Sequence, residues 1–250
     1  MTMTIPKNVE KYRSKAVIRP DHFLKQTNQN LGDLPSRYII TYQSFPWSYF
    51  LNNFAHIDRM FPGTDGIAIS KNIGFLKISG IGAPMAVTVL EELIALGGKR
   101  FVNMGTSGGL NGAAGIVLCN KALRDEGTSL HYFPDSRYAF PSEELTNRLE
   151  ASLKELGIEY RVAPGWTTDA PYRETVAELE GYRKEGIETV DMETSALFTL
   201  GKYRNVDVAS AFVISDLLDN ESWDPKFHTK ETSDNLTRLV DASMHCLLKE

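Results

Sequence analysis

Three polar clusters stand at the ends of apolar runs, and they hold the side chains of this chain best suited to chemistry. Gly105-Thr-Ser-Gly-Gly109 follows Phe101–Met104, Asp191-Met-Glu193 follows Thr189-Val190, and Ser215-Asp216 closes the run Val206–Ile214. Glycines remove the Cβ atoms that keep a ligand off the backbone. Clustered N–H groups beside the hydroxyls of Thr106 and Ser107 suit an anion or a hydroxyl-rich sugar. The carboxylates of Asp191, Glu193 and Asp216 can accept hydrogen bonds or move a proton. Each cluster alone has a plainer reading: a tight corner, a helix-start carboxylate at Glu193, a loop cap at Asp216. Their coincidence at strand ends favours a site, because ligands of open α/β sheets sit beyond the carboxyl ends of strands.

Strands and helices alternate to position these clusters. Strands are predicted at Tyr38–Tyr42, Ile67–Ser70, Gly74–Ser79, Phe101–Met104, Ile116–Ala122, Glu159–Ala163, Thr189–Asp191 and Val206–Ile214. The second and third form a hairpin about Lys71-Asn72-Ile73. Met85, Val89, Leu93 and Leu96 follow helical spacing, with Pro84 in the first turn and Gly97-Gly98 as the stop. Further helices are predicted at Ser142–Leu156 with Ser142 as N-cap, Glu174–Glu185, Thr194–Arg204 and Thr232–Lys249. Residues 105–109 read as a turn, residues 42–62 and 166–173 as loops, and Trp223 and Pro225 as part of a loop. The pattern predicts a single α/β domain, a central, mostly parallel, mixed twisted sheet flanked by helices. Residues 1–35 are expected to form an N-terminal arm and residues 36–250 the catalytic domain.

Bulk composition excludes several classes. The chain has 250 residues, 42% hydrophobic and 24% charged, with a formal net charge of −5. That acidity argues against a surface that tracks nucleic-acid phosphates. No apolar run approaches the roughly 18 residues of a membrane span. The N-terminal residues lack signal-peptide regions, and Cys119 and Cys246 form neither a metal-type spacing nor a disulfide framework. A cytoplasmic protein with no metal and no cofactor is expected. His56, His228 and His245 show no clustering.

Four ordered segments then carry a resemblance. They are Ser79-Gly-Ile-Gly-Ala-Pro84 with Glu91-Glu92-Leu93; Asn103-Met-Gly-Thr-Ser-Gly-Gly-Leu110; Ala122-Leu-Arg-Asp-Glu-Gly-Thr-Ser-Leu-His-Tyr132; and Val190-Asp-Met-Glu-Thr-Ser-Ala196 followed by Val213-Ile-Ser-Asp216. In order and spacing they resemble the nucleoside phosphorylase-I superfamily, from about residue 66 to the C-terminus. The resemblance implies the αβα phosphorylase-like fold and cleavage of an N-ribosyl bond, which builds positive charge on the sugar and negative charge on the base. It implies that Glu193 holds ribose hydroxyls, that Met192 packs on the sugar, and that Asp191 fills the first acidic position. It implies that Asp216 protonates a departing purine. An aspartate of ordinary pKa, about 3.9, needs burial or an anionic neighbour for that task. No Gln-x-Arg pair of the uracil-reading kind occurs in Thr167–Glu174, so purines are favoured. Thr167, Asp169, Tyr172, Arg173 and Ser215 are the candidates for the base, and Gly82, Asn103, Gly105, Thr106 and Ser107 for the acceptor. By the same resemblance His22 reaches a partner's sugar 5′-hydroxyl, and His131 lies near the site or a subunit interface. A homo-oligomer, dimer or hexamer, is implied.

The acceptor side departs from the pattern. Related phosphorylases carry an arginine in a Gly-Asp-Pro-x-Arg loop after the first strand, where this chain reads Thr41-Tyr-Gln-Ser-Phe-Pro-Trp-Ser48. A second arginine, two residues before the Gly-Thr pair, is Asn103 here, as in water-using nucleosidases. Those nucleosidases place a glutamate after the first strand, yet Tyr42–Phe50 holds no carboxylate; Gln43 or Ser44 remains to position water. Arg59 is a candidate for an arginine lent to a neighbouring subunit. Phe45, Trp47, Tyr49 and Phe50 read first as core packing, with a stacking wall or a subunit contact as the alternative. The expectation is phosphorolysis of a purine nucleoside to base and ribose 1-phosphate, with phosphate as co-substrate. The alternatives are a hydrolytic nucleosidase and a nucleoside-binding protein that has lost efficient catalysis.

Overall fold

Apolar runs and helical spacings build one sheet with helices on both faces. The computed structural model describes residues 9–26, 33–134, 136–219 and 223–249. In chain order the elements are α1 (Pro20–Gln26), β1 (Arg37–Thr41), α2 (Ser44–Asn53), β2 (Ile57–Arg59), β3 (Thr64–Ser70), β4 (Ile73–Ile78), α3 (Ala83–Ala95) and β5 (Arg100–Gly109). They continue with β6 (Ile116–Asp125), β7 (Tyr138–Ala139), α4 (Glu143–Glu155), β8 (Tyr160–Thr168), α5 (Val176–Lys184), β9 (Thr189–Asp191), α6 (Thr194–Arg204), β10 (Asp207–Leu218), β11 (Trp223–Pro225) and α7 (Lys230–Leu248). Short 3-10 turns cover Val9–Tyr12, Ser129–His131 and Pro171–Arg173.

The sheet runs β11-β10-β6-β8-β9-β5-β1-β4-β3-β2, and β10 also pairs with β5, which closes β10, β6, β8, β9 and β5 into a ring. The long pairings β5–β10 and β6–β8 are parallel, whereas the antiparallel pairings β6–β10 and β5–β9 are short. One layer sets α3 and α6 against the sheet through Leu90, Leu93, Leu197 and Leu200. On the opposite face, Leu149, Leu153, Leu239 and Val240 of α4 and α7 pack with Phe50 of α2. Ser142 caps α4, its hydroxyl accepting from the Leu145 N–H at 3.4 Å. Thr175 and Glu178 form a capping box at α5. Lys71 and Asn72 both take positive φ in the β3–β4 turn, as a two-residue hairpin of matching twist requires.

Several expectations are corrected. Residues 105–109 are no turn: β5 passes straight through them, paired with β10 from Arg100 to Gly109, and none of these residues has positive φ. Their glycines answer crowding. A Cβ on Gly108 would lie 2.5 Å from Leu218 Cδ1 and 2.9 Å from Val190 Cγ1, and one on Gly109 2.8 Å from Ile214 Cγ2. Gly108→Val should therefore destabilise by about 2–3 kcal/mol, lowering Tm by roughly 5–10 °C in a thermal melt; an unchanged Tm would contradict this packing. The second correction is α2, which occupies part of the expected 42–62 loop. Pro46 reads as a breaker, but a first-turn residue needs no N–H for the helix ladder. Trp47 and Phe50 are buried and stack on Phe75, with centroids 6.0 and 4.4 Å away, as core packing requires, whereas Phe45 is exposed and departs from that expectation. Two other expected loops also hold strand: β8 runs on through Trp166–Thr168, and β11, at Trp223–Pro225, pairs antiparallel with Asp216–Leu218.

Candidate active site

The site begins with an interruption in pairing along one edge of β5. On that edge β1 pairs as far as Asn103, and β9 takes over only at Gly108. Because β1 runs parallel to β5 and β9 antiparallel, their carboxyl ends point at each other across Met104–Ser107. Tyr42 and Gln43 leave β1 on one side; Met192 and Glu193 leave β9 on the other. On the opposite edge β10 brings Asp216 into register with Gly108, its Oδ2 3.4 Å from where a Cβ of that glycine would sit.

Glu193 lies between two helix starts. Its Oε1 accepts from the Gly82 N–H at 2.5 Å, just before α3, and its Oε2 from the Met192 N–H at 3.3 Å, just before α6. Both starts favour negative charge. Burial and the neighbouring Asp191 charge nonetheless push the Glu193 carboxyl above its ordinary range. Gly82, expected at the acceptor, thus spends its N–H on Glu193.

Asp191, expected at the ribose, is buried and occupied beneath it. Its Oδ1 accepts from Thr167 Oγ1 at 2.7 Å, and its Oδ2 from the Thr194 N–H at 3.0 Å and from the Thr194 hydroxyl. Burial pushes this carboxyl up as well, against the pull of those donors. Thr167, expected at the base, is likewise fully buried, donating to Asp191 and accepting from the Ser195 N–H at 2.9 Å. Ser195 in turn donates to Glu126 at 2.8 Å, a buried carboxylate the sequence reading did not single out.

Asn103, expected at the acceptor, lies on β5 at its last pairing with β1. It is fully buried, and its amide is spent on protein: Oδ1 accepts from the Tyr42 hydroxyl at 2.9 Å, and Nδ2 donates to Ser210 at 3.1 Å and Thr194 at 3.4 Å. It holds Tyr42 in place. Gln43 lies over Gly105, its Oε1 3.0 Å from the Cβ position of that glycine. It accepts from the Thr41 hydroxyl at 3.2 Å and donates to Thr106 Oγ1 at 3.1 Å. The Ser107 hydroxyl is buried without a partner among the described residues.

At the other end, Ser215 donates to Asp216 Oδ1 at 2.9 Å and the Trp223 indole N–H donates to Oδ2 at 2.8 Å. Ser215, expected at the base, thus spends its hydroxyl on Asp216. Glu174, absent from the expected set, has its carboxyl raised to about 7 by burial and by the charges of Asp216 and Glu178. Tyr172 is 99% exposed and Arg173 is exposed, because the 3-10 turn begun by Pro171 carries them into solvent. Asp169 accepts from the Gly127 N–H at 2.7 Å and pins that loop. His22 sits on α1, which packs against α3, half-exposed beside Arg19 and Asp21 and outside the strand-end cluster. Among the described residues no group of three His, Cys, Asp or Glu could hold a metal ion, and no helix is long and apolar enough to cross a membrane.

Fold and site together define an α/β protein with carboxylates gathered about a gap in pairing at its strand ends. Residues 70–245 match the model of the phosphorylase superfamily, and the chain belongs to that family. It is 31% identical to a uridine phosphorylase of Treponema pallidum over 54% of this chain and 58% of that one. It is 27% identical to a DeoD-type purine nucleoside phosphorylase of Streptococcus pneumoniae over 69% and 74% of the two chains. With three curated relatives the matches span 54–60% of the relative's length. In fold it is similar to an AMP nucleosidase from Bacteroides thetaiotaomicron, with a TM-score of 0.73, 23% identity and coverage of 91% and 97%.

Proposed function

We propose that this chain cleaves the N-ribosyl bond of a purine nucleoside. The observation that carries the reading is the convergence of the carboxyl ends of β1 and β9 on the open edge of β5, with Glu193 in the gap and Asp216 over Gly108. Gly108 lies three residues from Gly105, about 10 Å along the strand, enough to set a sugar between an acceptor and a base. Glu193 accepts from ribose hydroxyls and opposes the positive charge that grows on the sugar, while Met192 packs against the ring. Asp216 delivers a proton to the departing purine. Glu174, with its carboxyl near 7, is the adjacent group able to resupply it. The displacement requires no cofactor.

Two acceptors fit this reaction. Phosphate is supported by the names of the relatives, and it would make the reaction a phosphorolysis. Water is supported by the side chains at the acceptor end, none of whose hydrogen bonds involves a lysine or arginine among the described residues. A homo-oligomer in which His22 serves a partner's site accompanies either reading. Base release from inosine, guanosine, adenosine and uridine tests the proposal. Purine nucleosides should turn over at least tenfold faster than uridine. Faster uridine cleavage would overturn the choice of base, and no release from any of them would overturn cleavage itself.

A further inference from the structure

We infer that the acceptor in this site is water and not a phosphate dianion. The inference rests on the N-ribosyl-cleavage reading above and concerns the β1 side of the same gap.

The β1 side is walled by neutral groups that satisfy one another. Tyr42 donates to Asn103, Gln43 joins Thr41 to Thr106, and the Gln43 carboxamide covers the backbone of Gly105. A phosphate needs several strong donors and net positive charge around its oxygens. Here the Gly82 N–H is spent on Glu193, and the Asn103 amide is spent on Ser210 and Thr194.

The charges facing this space have the wrong sign for an anion. Burial, Asp191 and two backbone N–H groups act on Glu193, with no cation among them. Burial and the charges of Glu193 and Asp191 hold the Tyr42 hydroxyl well above its ordinary range, as a neutral donor to Asn103. The basic residues of nearby elements are engaged elsewhere. Lys77, in register with Thr41, is bonded to Asp65 at 2.7 Å, and Arg59 is paired with Asp58. Arg124 donates to Ser129, Phe133, Pro134 and Ser136. Among the described residues no cation faces this gap, so a dianion entering it would give up its hydration without a compensating charge, whereas a neutral water needs none.

The step balances without another reactant. The C1′–N bond breaks and its electron pair leaves with the purine. The water oxygen bonds to C1′ of the oxocarbenium-like sugar. The proton that water sheds balances the one the purine takes up. A sugar so electron-poor does not need a strong base to be captured, which fits a wall of amides and hydroxyls in place of a carboxylate.

The test measures base release from inosine in phosphate-free buffer and at rising phosphate, with the sugar product identified by NMR. Expected are free ribose and a rate changed less than about twofold by phosphate. Gln43→Ala should lose about tenfold or more in kcat, with KM for inosine moved much less and Tm little changed, because it removes an orienting contact to the acceptor. Phosphate-dependent release giving ribose 1-phosphate would overturn the assignment of water while leaving N-ribosyl cleavage standing. No release from any nucleoside would remove the reading beneath it. Wild-type turnover in Gln43→Ala would remove Gln43 from the acceptor wall.

Discussion

Glu193→Gln should lower kcat/KM for purine nucleosides by about three orders of magnitude, equivalent to about 4 kcal/mol of transition-state stabilisation. The carboxylate lies in a buried gap, where a full negative charge acts strongly on a sugar becoming positive, and an amide supplies only a dipole. Two backbone donors, Gly82 and Met192, now point at its two oxygens. The Nε2 amide group of glutamine, itself a donor, would confront one of them, loosening the start of α3 or α6. Stability should respond in the opposite sense. The folded-state pKa of Glu193 is raised, so its contribution to stability is complete below the ordinary glutamate range and is lost as pH rises through the raised value. Wild-type Tm should therefore fall between weakly acidic and weakly alkaline pH, and Glu193→Gln, which stays neutral, should flatten that fall. Activity should rise over the same interval, because the ionised form supports the reaction. Kinetics and thermal melts on the two proteins across pH decide it. A variant within tenfold of wild type would take Glu193 out of the chemistry.

The element order was legible because it rests on local signals. Ser142 as a cap, the spacing of Met85, Val89 and Leu93, and the run Val206–Ile214 carry their meaning within a few residues. Glu193 and Asp216 were legible as strand-end carboxylates, and the structure sets them beside the same strand. What was hidden depends on neighbours distant in sequence. Glycines at 105, 108 and 109 read as a turn until Gln43, Val190, Ile214 and Leu218 are seen crowding them. Asn103 reads as an acceptor ligand until Tyr42, Thr194 and Ser210 claim its amide. Thr167, Ser215 and Gly82 sit at the expected place yet serve the carboxylates, a distinction that spacing does not encode. Trp223 gave one signal that could have been used: an indole N–H shortly after a strand-end aspartate is a natural donor to it. Glu174 gave none, because its proximity to Asp216 arises from the packing of the segment before α5.

Asp216→Asn should slow inosine and guanosine turnover by about two to three orders of magnitude, with a much smaller change in KM. Asparagine cannot deliver a proton to the leaving purine. It also disturbs its own clamp: Ser215 and the Trp223 indole both donate to Asp216, and the amide nitrogen would leave one of them facing a donor, at a cost of about 1–3 kcal/mol. Turnover of ordinary purines alone would mix these two effects. 7-Methylguanosine separates them, since its base already carries positive charge at N7 and departs without being protonated. If Asp216 acts as the acid, Asp216→Asn should retain most of its activity on 7-methylguanosine while losing it on inosine. Equal losses on both substrates would mean that Asp216 shapes the pocket without moving the proton. Trp223→Phe is the complementary probe: it removes one donor to the carboxylate and keeps the acid, so it should cost far less than Asp216→Asn on inosine. A loss as large as that of Asp216→Asn would place the orientation of the carboxylate, and not its proton, at the centre of the step.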